Sequence, residues 1–551
     1  MSASSKKKLR NEQQAAKLTE RQLAEQKEAK TLKFYTVTFV AVLTVLLVIA
    51  VVFGVSNAIT NSGIRERNTV ALTVGEHEIN NAEMNYYFTD AINSYFSGDN
   101  SYMIQLGFLD TSLPLDEQVN PLTGQNWAEY LLEYATQNIR SNYALADAAK
   151  AAGFTLSEEY TTQIDSIVNN MQLSSIMYGY SDADTYLKAM YGNGADLESY
   201  KQYVETSILA QAYYTSYGDT LNYEDADIRA AEAENFGKYS SYTYNYYYLT
   251  ASDFLEDGTT DSEGNTTYTE EETAASIKAA EEAAKALVGE EITSAEELDA
   301  AISELSINAD SETAVTSTLY ENQLYSKIAS EEVAQWVSDA SRKEGDMTYI
   351  ANEVTSTNSE SGETTDSING YFVLYFHGSE DNTFALKNVR HILAAFEGGT
   401  TDSATGTTTY TDEEKGAAEA LAEEWLAQWE SGEATEDSFA ALANEMSADG
   451  DGTTGGLYED VYPGQMVANF DTWCFEEGRK AGDTGIVETQ YGYHVMYFSG
   501  DSDTTYRDYM IMSELRSRDI TSWYTGLLEN AAVTEGDTSY VNTGLVLNAG
   551  N

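Results

Sequence analysis

Four histidines occur in the 551 residues, and two of them, His391 and His494, stand in segments that read as neighbouring strands. His391 lies in Val389-Arg390-His391-Ile392-Leu393 and His494 in Gly492-Tyr493-His494-Val495-Met496-Tyr497-Phe498. Paired imidazoles suit metal ligation, proton transfer or a fixed hydrogen-bonded floor. Metal ligation lacks a third donor, because His77 and His377 fall in other segments and no Cys/His cluster occurs. Nucleophilic catalysis fares no better. The single cysteine, Cys474, sits in apolar Trp473-Cys474-Phe475 with no base beside it, as a buried inert thiol does. Two hydrogen-bonded core histidines are the plain alternative. Asp449-Gly450-Asp451-Gly452 lacks the later Glu of an EF-hand and reads as a solvated turn.

The two histidines belong to the second copy of a stretch of roughly a hundred residues that occurs twice. The second copy holds Leu457-Tyr458-Glu459-Asp460-Val461-Tyr462, Trp473, Arg479-Lys480 and Gly482-Asp483; the first holds Leu319-Tyr320-Glu321-Asn322-Gln323-Leu324-Tyr325, Trp336, Arg342-Lys343 and Gly345-Asp346. Gly370-Tyr371-Phe372-Val373-Leu374-Tyr375-Phe376 then matches the segment around His494. This alignment puts Phe372 at the position of His494, Tyr247 at that of His391 and Asn308 at that of Asp449. One polar site and one scaffold copy are expected.

Each copy reads as strand, acidic loop, two helices, loop, helix and strand, a small α+β unit with an antiparallel sheet. In the first copy Tyr244 to Leu249 is the strand, and Ala274 to Val288 and Leu298 to Leu305 are the helices. In the second, Ala417 to Trp429 and Phe439 to Met446 take the helical places. Ser356 to Asn369, a Ser/Thr/Glu insertion in the first copy alone, is expected as a loop. Upstream, Val70, Leu72 and Val74 alternate before a Gly75-Glu76 turn, and Asn80 with Glu83 makes a capping pattern for a helix through Phe96. Further helices are expected over 127–152, 157–179, 195–216 and 223–238, and Tyr506 to Asn530 forms a last one that returns to this helical block.

The chain carries 30 Lys/Arg against 90 Asp/Glu, a formal charge of −60. Such a surface repels nucleic acid. The basic residues concentrate before Phe34–Val55, a run with no charge. As a helix at about 1.5 Å per residue it spans the ~30 Å hydrocarbon layer, and the basic flank puts the N-terminus inside. With one cysteine, no internal disulfide is available.

Val389-Arg390-His391-Ile392-Leu393, Ser447-Ala448-Asp449, Gly455-Gly456-Leu457, Gly464-Gln465-Met466, Phe470, Phe475 and Thr489-Gln490-Tyr491-Gly492-Tyr493-His494 together resemble the parvulin (PpiC) family of peptidyl-prolyl cis-trans isomerases. The whole arrangement is similar to the PrsA/SurA-like extracytoplasmic foldases. The resemblance implies His391, Asp449, Thr489 and His494 as catalytic residues, and Met466, Phe470, Phe475 and Tyr491 as the wall that takes the proline ring. It implies no cofactor and no metal. The family's Gly-Gly-Asp-Leu-Gly reads Gly455-Gly456-Leu457-Tyr458-Glu459 here, and Val467 replaces a polar residue. The expected organisation is a cytoplasmic basic stub at 1–33, a transmembrane helix at 34–55, a helical chaperone-like domain at 56–240 completed by the helix and tail at 503–551, a degenerate parvulin-like domain at 241–385 and a parvulin isomerase domain at 386–502. The expected protein is a single-pass, membrane-anchored extracellular isomerase and foldase acting on unfolded secreted polypeptides with X-Pro bonds. It is expected to bind no nucleic acid, and a homodimer is one assembly the sequence permits. The alternative is a holdase with vestigial isomerase activity.

Overall fold

The computed structural model describes residues 63–547 except 97–101, 256–257, 261–265, 290, 310, 312, 358–363, 403–405 and 451. The stub at 1–33 and the apolar run at 34–55 lie outside the described residues. Among the described residues no helix is long and apolar enough to cross a membrane. The described residues fall into two compact units: the described parts of Met1–Asn222, Ala441–Gly456 and Leu515–Asn551, and Tyr223–Ala440 with Leu457–Glu514.

In the first unit the alternating Val70–Val74 strand turns at Gly75, where φ is 58°, and pairs antiparallel with His77–Asn80. Its other edge pairs with Val533–Glu535 from the end of the chain. Asn80 caps the helix Asn81–Phe96 by accepting the Glu83 amide at 2.9 Å. Helices Trp127–Ala151, Glu158–Met177, Ala183–Tyr191 and Leu197–Thr220 follow, each begun by an Asn, Ser or Asp cap. Ala183–Tyr191 was not expected as a separate helix; Gly179 and Gly192, both at positive φ, set it off. From Leu515 onward the last helix packs on this unit. Trp523 stacks on Tyr217 with centroids 3.7 Å apart, and Arg140 donates to the carbonyls of Leu528 and Ala531 at 2.5 and 3.0 Å. These bonds satisfy C-terminal carbonyls that have no partner within the helix.

Both repeats lie in the second unit, except that Ala441–Gly456 of the second repeat is grouped with the first unit. Four antiparallel strands run in the order Thr318–Leu324, Ser241–Thr250, Thr364–Glu380, Met347–Thr357 in the first repeat. In the second the order is Leu457–Val461, Ala385–Ala395, Gly492–Thr505, Thr484–Thr489. The topology is the same, and so are the local devices. Asn322 and Asp460 both take positive φ, at 48° and 54°. Arg342 stacks 4.4 Å over Trp336 and Arg479 stacks 3.7 Å over Trp473, each donating Nε to that Trp's carbonyl. Thr269 with Glu272 and Thr411 with Glu414 form matching capping boxes on the helices Glu270–Leu287 and Asp412–Glu430. The second helix of each repeat is Ala295–Ser303 or Glu436–Met446. The acidic loops after the first strands close as small ribbons, Thr259–Thr260 with Thr266–Thr267 and Thr400–Thr401 with Thr408–Thr409.

Two expectations fail here. The described residues of the insertion Ser356 to Asn369 are largely paired strand: Ser356 pairs with Thr365 and Val354 with Ser367, so its Thr/Ser-rich arms extend the hairpin. β-Branched polar residues suit a two-sided solvated ladder as well as a loop. The alignment of His391 with Tyr247 is off by one. His391 pairs with Met496, and its counterpart in the first sheet, the residue paired with Leu374, is Tyr246. Tyr247 points to the other face, where it packs against the helix-side core and its hydroxyl accepts from Asn308 Nδ2 at 3.1 Å.

At the junction of the two repeats Arg507 is buried. It donates Nε to Glu232 Oε1 at 2.5 Å, and its other nitrogens reach Ser240 Oγ and the carbonyls of Asp381 and Phe236. Its guanidinium also lies 3.7 Å from the Phe236 ring centroid.

Candidate functional site

Strand alternation places Val389, His391 and Leu393 on one face of the second sheet, and His494, Met496 and Phe498 beside them. The short helix Ala468–Cys474 covers that face. The two imidazoles meet there. His391 Nδ1 lies 2.9 Å from His494 Nδ1, and His494 Nε2 lies 2.9 Å from Thr489 Oγ1. Thr489 in turn donates to the Gly492 carbonyl at 3.3 Å and accepts the Tyr491 amide at 3.2 Å. A consistent proton arrangement follows: Nδ1–H of His391 donates to His494, Nε2–H of His494 donates to Thr489, and the hydroxyl donates to Gly492. Each ring then carries one proton.

Burial enforces that neutrality. Both histidines are 0% exposed. Desolvation pushes the His391 pKa down to about 3, and desolvation followed by the His391 charge holds His494 well below the ordinary imidazole range. Aromatic rings close over the pair. Phe470 stands edge-on to both imidazoles, its centroid 5.4 Å from each, and Tyr458 stacks on His391 at 5.3 Å. Met466 completes this cluster with Val389, Cys474 and Met496. Cys474 is thus the buried thiol its sequence setting suggested.

His391, His494, Thr489, Met466 and Phe470 belong to one site. Tyr491 sits in the turn before Gly492, held through its amide by Thr489, and its carbonyl accepts the Phe396 amide at 3.0 Å. Phe475 packs against the cluster that holds Met466 and Phe470, and its ring stands edge-on to Phe384 at 6.2 Å. Asp449 is buried in the turn after Glu436–Met446, its amide donating to Ser447 Oγ at 3.1 Å, within the Ala441–Gly456 segment of the first unit. Sequence reasoning missed Tyr458 as a site residue. Its signal was there: it directly follows Gly455-Gly456-Leu457, on a strand whose register with Val389 directs its ring to His391.

Beside Thr489 a cavity of about 550 Å³ is lined by Phe396, Tyr410, Lys415, Asn469, Glu488 and Gln490. Asn469 Nδ2 donates to the Glu488 carbonyl at 2.8 Å and so ties the covering helix to the strand rim. Among the described residues no group of three or more His, Cys, Asp or Glu is placed to hold a metal ion.

The family comparison falls on this half of the chain. Residues 391–500 match the family described as "Rotamase: PPIC-type PPIASE domain", so the second repeat carries a domain of the parvulin-type peptidyl-prolyl isomerase class. Among solved structures the chain is similar to the peptidylprolyl isomerase PrsA from Bacillus anthracis, with 21% identity over 27% of this chain and 59% of that one at a TM-score of 0.17. It is also similar to the PrsA from Bacillus cereus, with 25% identity over 30% of this chain and 57% of that one at a TM-score of 0.17. The chain therefore spans less than two thirds of either structure's length. No curated protein matches it.

Proposed function

We propose that the second repeat is a working peptidyl-prolyl cis-trans isomerase and that the chain is a membrane-anchored extracellular foldase for secreted polypeptides. The observation that carries the isomerase reading is the neutral His391–His494–Thr489 row sealed under Phe470. Rotation about an X-Pro bond must break amide resonance against a barrier of ~18–20 kcal/mol, and it needs no proton transfer or cofactor. The twisted amide has less charge separation than the planar one, so an apolar wall at Met466, backed by the buried Phe470, favours it. The histidines are too deeply buried to touch a substrate. They act as positioning residues, holding the wall over fixed dipoles that need not reorganise.

The membrane and extracellular parts of the reading rest on the uncharged run at 34–55 and its basic flank. The helical domain at 56–240, completed by 503–551, serves as the client-holding part. A second reading, a holdase, has one observation in its favour: Leu173, Ile176 and Met177 stand exposed together on the helix Glu158–Met177. Refolding of a client limited by prolyl isomerisation separates the two. The full chain should speed the slow phase at substoichiometric amounts; suppression of aggregation without acceleration would leave only the holdase. Protease added outside intact cells should digest everything beyond the anchor, and full protection would refute the orientation.

A further inference from the structure

The first repeat has lost the histidines but not the space around them. Strand register puts Tyr246 at the place of His391, Phe372 at that of His494 and Asn352 at that of Thr489. Equal spacing to Trp336 and Trp473 puts Val333 where Phe470 stands and Ala329 where Met466 stands. Two large wall residues have become small, and a cleft of about 330 Å³ opens there. Its walls are ring faces: Tyr246 lies 5.9 Å from Tyr320 and 5.5 Å from Phe372, and Tyr244 lies 5.4 Å from Tyr320. Three carboxylates, Glu331, Glu332 and Glu353, line the cleft against one ammonium, Lys327.

We propose that this cleft binds an arginine or lysine side chain of an extended polypeptide, as a second, non-catalytic binding site. The replacement of Met and Phe by Ala and Val removes the grip on a proline ring. What is left is a tyrosine-rich cage whose π faces attract a cation, beneath a mouth with an excess of negative charge. The site is thus selective by charge where the second repeat is selective by shape. It does not depend on the isomerase reading, since its ligand needs no proline.

The test uses the full chain in mild detergent and a fluorescein-labelled, proline-free Gly/Ser peptide with one central Arg, beside the same peptide with citrulline. The Arg peptide should bind about tenfold or more tightly. Tyr246→Ala and Tyr320→Ala should abolish that preference and Tyr246→Phe should keep it, while isomerisation of a prolyl peptide is unchanged in all three. Since Tyr246→Ala leaves the net charge alone, affinity that survives it means attraction to the acidic chain at large and overturns the proposal. Equal binding of Arg and citrulline peptides, or displacement by a neutral proline peptide, overturns it as well. If Tyr246→Ala fails to fold, shown by lost exchange protection of Thr364–Glu380, Glu353→Gln decides: undiminished selectivity counts against the site.

Discussion

Acid should loosen the second repeat and spare the first, because only the second has imidazoles in its core. The free His391 ring titrates near its ordinary value of 6.5, and in the folded protein burial lowers this to about 3. Below about pH 6.5 the unfolded chain therefore takes up a proton that the folded chain refuses. The stabilising effect is complete above that pH and is lost as the pH falls towards 3. At about 1.4 kcal/mol per pH unit, a drop from about pH 7 to about pH 5 costs about 2 kcal/mol through His391 alone. His494 shifts in the same direction and adds to it. Hydrogen exchange reads this strand by strand. After correction for the intrinsic pH dependence, amides of Gly492–Thr505 should lose protection by about thirtyfold over that range. The matching strand Thr364–Glu380, flanked by Tyr246 rather than a histidine, should change little. Exchanging the pair for the first repeat's own residues, His391→Tyr with His494→Phe, should flatten the pH slope of the second repeat to that of the first. The surface carboxylates are the same in both proteins and cancel in that comparison. Equal slopes in wild type and variant would refute the buried neutral pair.

Four further outcomes follow from single contacts. Thr489→Val strips His494 Nε2 of its 2.9 Å partner and leaves a buried ring nitrogen unsatisfied; a loss of about 1–3 kcal/mol in urea unfolding is expected, with a slower isomerase. Gly492→Ala should be worse than an ordinary strand Gly→Ala, since φ is 148° and a Cβ would sit 2.1 Å from the Ala394 carbonyl oxygen. Gly370→Ala, with its Cβ 2.1 Å from the Leu249 oxygen, should cost the first repeat a similar amount, as thermal unfolding of the two variants checks. Arg507→Met leaves two carbonyls and one Glu232 oxygen without the buried guanidinium, while Arg229 still pairs with Glu232, and about 1–3 kcal/mol should be lost, seen as earlier proteolysis between the repeats.

The duplication was legible because its markers are chemically distinctive: the Leu-Tyr-Glu runs, the Trp–Arg pairs and the Gly-Asp turns recur at fixed spacing. The histidine row was legible for the same reason, since His391 and His494 each fall on alternating apolar strands. The register of the first repeat was not. Tyr244 to Tyr248 is nearly all tyrosine on both faces, so no alternation marks which side is buried, and a one-residue slip moves every side chain to the opposite face. Phe475 was matched by order along the chain; it follows the helix Ala468–Cys474 and packs against the Met466 and Phe470 cluster, with its ring edge-on to Phe384. Tyr458 went unassigned because its role arises from cross-strand pairing that only the sheet supplies.

The most direct test of the central claim is exchange NMR on an unphosphorylated X-Pro peptide with the full chain added at substoichiometric amounts. The account predicts cis-trans exchange well above the uncatalysed rate, sharply reduced by Met466→Ala at the apolar wall and unaffected by Tyr246→Ala in the first repeat. No exchange above background, with the strands of the second repeat fully protected and so folded, would contradict it.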